Sequence, residues 1–330
     1  MQKLFDQLVL ITAVLALCVV VLGAYVRLSD AGLGCPDWPG CYGHMTVPHI
    51  AAAQQAFPDK PLEAHKAWKE MAHRYLAGTL GLLILAICVM AWRGRDRLAV
   101  KPVLPTVLLG LVIFQAALGM WTVTLLLKPV IVSLHLLGGM ATLGLLAWLA
   151  AAHWASVAPD AGNLRPWALL GLLVLACQIA LGGWTSSNYA ALACADFPTC
   201  QGAWWPQTDF ANAFHLVREL GVNADGSQLS SASLTAIHLV HRLGALATFL
   251  YLGWLGGRLL FAPGLDGWGK LMLALLAIQI SLGIGNILFS LPLPIAVAHN
   301  AGAALLLAAL VVINSKIIRG GCPLPAPRLP

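Results

Sequence analysis

Eight stretches of about twenty nearly uncharged residues run through the chain, near 8–28, 71–92, 103–127, 129–151, 166–185, 236–260, 267–289 and 295–315. About twenty residues is the length a helix needs to cross the hydrocarbon of a bilayer. In that medium every backbone N–H and C=O must be paired within its own segment, so each stretch is expected to be a helix. Composition agrees: 59% of the 330 residues are apolar and only 10% are charged, more apolar surface than a soluble domain can hide. The first stretch is too long, and too directly followed by others, for a cleaved signal peptide. The expected fold class is an all-α, multi-pass membrane protein with eight transmembrane helices.

Lysine and arginine collect on the cytoplasmic side of membrane helices. With the N-terminus inside, the inner segments hold Lys3, Arg93, Arg95, Arg97, Lys101, Arg165, Arg258, Lys270, Lys316, Arg319 and Arg328, eleven of the nineteen basic residues. Three of the others, Arg27, Arg74 and Arg242, sit at span ends. This predicts a cell (inner) membrane protein with both termini cytoplasmic and two long loops, 29–70 and 186–235, on the outer face. The formal charge of +6 then reports topology. The lipid bilayer is an expected partner and nucleic acid is not.

Each long loop holds one Cys-x5-Cys pair, Cys35 with Cys41 in "GLGCPDWPGC" and Cys194 with Cys200 in "ALACADFPTC". Disulfides persist on that side of the membrane, and the short spacing closes a tight loop already bent by Pro36, Pro39 and Pro198. Structural staples and redox-active pairs both fit. A zinc site is disfavoured, because each loop offers two thiols and no regular Cys/His framework. Cys18, Cys88, Cys177 and Cys322 lie in spans or the inner tail and are read as inert.

The loops belong to a longer repetition. Leu22-Gly23, Cys18, Cys35 and Cys41 recur as Leu181-Gly182, Cys177, Cys194 and Cys200 at an offset of 159. His73-Arg74 recurs as His241-Arg242 at 168, and Gln115-x3-Gly119 with His135-x2-Gly138 recurs as Gln279-x3-Gly283 with His299-x2-Gly302 at 164. The expected organisation is a tandem duplication, residues 1–155 and 156–330, each half a four-helix bundle. An even number of spans per half gives parallel repeats related by an axis near the membrane normal. Gly138-Gly139 and the "GALA" run 244–247 are candidates for close helix approach.

Ionisable side chains inside spans mark function. His73 and His135, then His241 and His299, lie on the second and fourth helices of each half, within two turns of the outer end. Paired across a bundle, they have the geometry of two axial ligands on one haem iron, one porphyrin per half. A lone membrane histidine is more simply an interhelical hydrogen bond, but four at matched depth in two copies argue against that. Gly138 and Gly302, three residues after a histidine, free space on the same helical face, for a macrocycle or for helix packing. Arg74 and Arg242 could pair with propionates or simply snorkel to the interface. The helix N-termini would also suit propionates. His44, His49, His65 and His215 fall in outer loops and His153 at an inner helix end. Residues 209–221 place Phe210, Phe214, Val217 and Leu220 on one stripe, which predicts a helix lying along the membrane surface.

The halves differ beside the first ligand. "KEMAHR" puts Glu70 three residues before His73, where "AIHLVHR" puts His238 before His241. A spacing of three shares a helical face, so a carboxylate could reach a porphyrin edge and move protons there, or be a solvated interfacial glutamate.

"VRLSDAGLGCPDWPGC", "EMAHR", "QAALGMWTV" and the "HLLGG" around His135 resemble the haem A synthase family, across essentially all eight spans. That resemblance implies oxidation of the methyl at porphyrin carbon 8 of haem O to a formyl group, by two successive hydroxylations and loss of water. It implies a substrate half with haem O or product haem A at His73 and His135 and catalytic Glu70, and a second half with haem b at His241 and His299. It links Cys35 and Cys41 to disulfide or redox roles. Haem O synthase, an electron donor or acceptor, and a second copy of the chain are the partners considered. The rival readings are a non-enzymatic dihaem b-type cytochrome and a haem carrier. A relay across the membrane would need haems at different depths, and a carrier would not need Glu70.

Overall fold

The computed structural model describes residues 1–154, 161–223 and 225–320. Cys322, Arg328 and the expected boundary at 155/156 lie outside the described residues. Eight long helices are present: α1 (Gln2–Leu28), α3 (Ala64–Arg93), α4 (Val103–Thr124), α5 (Pro129–Trp154), α6 (Arg165–Ser187), α8 (Ser231–Leu259), α9 (Asp266–Leu288) and α10 (Leu293–Gly320). All eight are long and apolar enough to cross a membrane. Two short helices, α2 (Ile50–Ala56) and α7 (Phe210–Ala213), lie in the long loops, and no strand occurs among the described residues.

Apolar length finds the lipid-facing part of each helix but not its ends. Backbone hydrogen bonding continues into polar sequence, so α3 starts at Ala64 and α8 at Ser231, where Ser230 caps the Ser233 amide at 3.1 Å. The helices thus begin seven and five residues before the apolar runs at 71 and 236, so His73 and His241 lie one to two turns further from their helix starts than the apolar runs predict. The other correction concerns residues 209–221. Only α7 is helical there, because Arg218 turns inward to donate to Asn188 at 2.6 Å and Glu219 reaches Lys128 at 2.7 Å. Phe210, Phe214 and Val217 stay exposed without a common helix to carry them.

Helices α1, α3, α4 and α5 pack round a ring in which α1 and α4 each touch α3 and α5. In the same way α6 and α9 each touch α8 and α10. The groups meet where α5 packs on α6 and α10, and α10 on α1. Asp30 and Tyr189, Tyr42 and Gln201, Leu126 and Ser290, and Leu127 and Leu291 all have positive φ, between 49° and 61°. Most side chains avoid this conformation, yet these residues fall in four pairs at the offsets of 159 and 164. Large apolar side chains such as Leu82, Val103, Ile113 and Leu250 are exposed on the outer helix faces, as a lipid solvent allows.

Two contacts join residues at equivalent positions. Arg27 donates to the Ser186 carbonyl at 2.8 Å and Tyr189 to Asp30 Oδ1 at 3.0 Å, both pairs 159 apart, with the Arg27 guanidinium 4.0 Å above the Tyr189 ring. At the opposite end Arg319 donates to the carbonyls of Ala152 and Ala151, at 2.7 and 2.6 Å.

Candidate functional site

Within each ring of helices the diagonal partners, α3 with α5 and α8 with α10, do not approach closely by backbone among the described residues. The first diagonal is spanned by side chains instead. The rings of His73 and His135 lie 6.5 Å apart, centre to centre, at 83° to one another. Nδ1 of His73, His135 and His299 is buried and without a hydrogen-bond partner.

Each histidine rests on a glycine of a neighbouring helix. A Cβ on Gly23 would come within 2.9 Å of His73 Cε1, on Gly119 within 3.3 Å of His135, on Gly182 within 3.2 Å of His241, and on Gly283 within 3.1 Å of His299. Side chains do not tolerate such approaches without displacement, so these glycines set the ring positions. The sequence carries the signal, since all four are repeat-matched, but only the folded helices reveal what they face. Gly138 and Gly302 have another neighbour: the side chains of Gln115 and Gln279 occupy the space a Cβ would need.

The histidine pair fits a haem iron. A metal held at about 2 Å by each ring nitrogen would put facing imidazole centres roughly 6 Å apart, close to the separation seen. Two nitrogens do not complete a coordination shell, and no cluster of three or more His, Cys, Asp or Glu suited to a metal occurs among the described residues. A macrocycle bound between the rings would complete that shell.

Above each pair sits a disulfide loop, Cys35–Cys41 with an S–S distance of 2.03 Å and Cys194–Cys200 with 1.97 Å. Their internal wiring matches. Asp37 accepts from the amides of Tyr42 and Gly43 at 2.6 and 2.8 Å, and Asp196 from those of Gln201 and Gly202 at 2.6 and 3.0 Å. The Thr199 hydroxyl and the two amides hold the Asp196 carboxyl well below its ordinary 3.8, at about 2.

The attachment of each loop to its helix answers the question left by Glu70 and the arginines. Glu70 is buried, accepts the Cys35 amide at 2.9 Å, and forms an ion pair with Arg74. Arg74 also donates to the carbonyls of Asp37, at 2.9 Å, and of Gly40. In the second half His238 Nδ1 accepts the Cys194 amide at 3.2 Å, while Arg242 donates to the carbonyls of Thr199 and Cys194, at 2.8 and 2.7 Å. Both arginines are therefore clamps on the disulfide loops and neither snorkels. Glu70 and His238 hold the same structural position with different chemistry. A neutral imidazole has one ring lone pair, whereas a carboxylate accepts from backbone and guanidinium together.

His44, His49 and His65 lie outside this arrangement, on or near the first loop. Cys88 is buried, and Cys18 and Cys177 face outward at equivalent positions.

Fold and site together define a helical multi-pass membrane protein with histidines placed in its bundle interiors beneath disulfide-closed loops. The chain belongs to the COX15-CtaA family of cytochrome oxidase assembly proteins, whose model matches residues 6–311. It is 48% identical, over 92% of its length and 94% of the relative's, to the haem A synthase of Shewanella oneidensis. The haem A synthases of Rhizorhabdus wittichii (27%, covering 92% of this chain and 90% of the relative) and Bacillus licheniformis (25%, 91% of each) are more distant.

Proposed function

We infer that this chain is a haem A synthase, an oxidoreductase that converts the carbon 8 methyl of haem O to a formyl group. The observation that carries the reading is the replacement of His238 by Glu70 at one of two otherwise matched positions, in a chain 48% identical to a named haem A synthase. The half containing Glu70 is the substrate half, with haem O between His73 and His135. The other half holds a resident haem b between His241 and His299. Bound haem supplies redox-active iron and a conjugated ring from which electrons can be drawn.

The chain's own residues position and protect. His73 and His135 hold the substrate across the diagonal, on platforms set by Gly23 and Gly119. Glu70, one turn before His73, is the group able to accept or return a proton at the reacting edge. Arg74 pairs with its carboxylate and fixes the disulfide loop that closes over the site. Methyl to formyl removes four electrons and adds one oxygen atom, so an electron acceptor and an oxygen source, water or dioxygen, belong to the reaction. Haem O synthase is the partner class that supplies the substrate.

Matched loops, platforms and positive-φ pairs support a tandem duplication of a four-helix unit. The basic run Arg93, Arg95, Arg97 and Lys101, at the end opposite the disulfides, supports cytoplasmic termini and outward-facing loops in the cell membrane. Co-expression with a haem O source, followed by chromatography of extracted haems, tests the function. New formyl haem is expected, and unchanged haem O beside haem b would refute it.

A further inference from the structure

The second long loop buries a cation that neither the histidine pairs nor the disulfide loops use. Arg218 is only 5% exposed, and its side chain donates to a neutral group, Asn188 Oδ1, at 2.6 Å. Its Nε and Nη1 are buried without a partner among the described residues. The guanidinium carbon lies 5.6 Å from the centre of the Trp184 ring, a contact that offsets part of the lost hydration. A buried charge is ordinarily paired with an opposite one. Here the neighbouring carboxylate, Glu219, pairs with Lys128 instead, at 2.7 Å.

Arg218, Lys128, Glu219 and Asn223 line a cavity of about 310 Å³, together with Val130 and Val217. Because Glu219 matches Lys128, Arg218 leaves the cavity one positive charge in excess. The partial charge at the start of α5, where Val130 lies, has the same sign. The cavity sits at helix ends, since Asn188 follows α6 directly and Lys128 directly precedes α5. The ends of membrane-spanning helices lie at the level of the lipid headgroups. Leu216 and Val217, just before Arg218, are 58% and 81% exposed, and Trp204 and Trp205 of the same loop are exposed as well. Tryptophan collects at that level, and exposed aliphatic side chains there meet acyl chains. The first half has no counterpart. The repeat offset grows from 159 at Cys200 to 168 at His241, and the residue matching Lys128 is Pro292.

We propose that this cavity binds the headgroup of an anionic phospholipid of the phosphatidylglycerol type, its phosphodiester on Arg218 and its acyl chains against Leu216 and Val217. One phosphodiester carries one negative charge, which matches the excess. The side-chain oxygen of Asn223 is buried without a partner, and a glycerol hydroxyl supplies the donor it lacks. Phosphatidylcholine has no such hydroxyl, and its ammonium group restores the positive charge that its phosphate removes.

The test is thermal unfolding of the purified, haem-loaded protein in detergent micelles, with phosphatidylglycerol, phosphatidylcholine or inorganic phosphate titrated in. A ligand that binds the folded state alone raises the midpoint with its concentration. Phosphatidylglycerol should raise it saturably, and the other two should not. Arg218→Gln and Lys128→Gln should each shift the response to concentrations higher on the order of 10- to 100-fold, the worth of a hydrogen bond to a charged group. Arg95→Gln, at the opposite end of the helices, should leave it unchanged. Both loop variants should keep wild-type haem content, and if Arg218→Gln does not fold, Lys128→Gln decides. An equal rise with phosphatidylcholine would mean a general lipid effect, and one with inorganic phosphate a free-anion site. Either result, an unchanged response in Lys128→Gln, or an equal loss in Arg95→Gln would overturn the proposal. So would loss of haem from a folded Arg218→Gln, which would assign the arginine to a haem site.

Discussion

Glu70 has a structural job and a proposed catalytic one, and the two need separating. Its carboxylate seats the Cys35 amide and pairs with Arg74, so losing it disturbs the disulfide loop as well as any proton transfer. The second half supplies the control, since His238 holds the equivalent amide without a carboxylate. Glu70→His should therefore keep the loop seated and haem bound, yet lower haem A formation by roughly 100-fold or more, the scale of general acid–base catalysis. Glu70→Gln should lose activity similarly. Extracted haems normalised to folded protein provide the measurement, and near wild-type haem A from Glu70→His would leave the glutamate a structural residue. Little of this was legible in the sequence. The three-residue spacing to His73 places Glu70 on the right face, but the partners of Glu70 and Arg74 come from a loop some thirty-five residues earlier, and no helical periodicity records where that loop folds back.

At the scale of elements, the helices and the disulfide loops make separate predictions. Gly23→Ala would place a methyl 2.9 Å from His73 Cε1, while Gly110 has open space around it. Gly23→Ala should shift the absorption spectrum of the first-half haem or reduce its occupancy, and Gly110→Ala should do neither. In the second disulfide loop, Asp196 is held at about 2 by Thr199 and the turn amides, below its ordinary 3.8. A depressed carboxylate stabilises the fold fully above its unfolded value and loses that contribution as pH falls through its folded one. Hydrogen exchange at the Gln201 and Gly202 amides should stay slow at pH 5 and rise only between about pH 3.8 and 2. Rapid exchange at pH 5 would contradict the turn's wiring. The eight helices were legible because lipid demands long apolar runs. Their outer ends were not, since hydrogen-bonded backbone extends into water without an apolar signature. The surface helix expected at 209–221 failed because Arg218 and Glu219 find partners in other segments, which outweighs a local apolar stripe.

For the molecule as a whole, the halves meet through residues at equivalent positions, Arg27 with Ser186 and Asp30 with Tyr189. Hydrogen bonds from charged donors are worth about 1.5–3 kcal/mol, so Arg27→Ala should lower the thermal unfolding temperature in detergent without changing the kinds of haem bound. Repetition made the four histidines stand out: one membrane histidine is ambiguous, whereas four at two fixed offsets single themselves out as candidates. It could not reveal the glycine platforms, whose meaning depends on which helix faces which. The central claim is that the two pairs do different work, and haem content of four variants made with a haem O source tests it most directly. His241→Ala and His299→Ala should lose haem b, while His73→Ala and His135→Ala should keep haem b and make no haem A. Loss of the same single haem from all four variants, or undiminished haem A from His73→Ala, would contradict it.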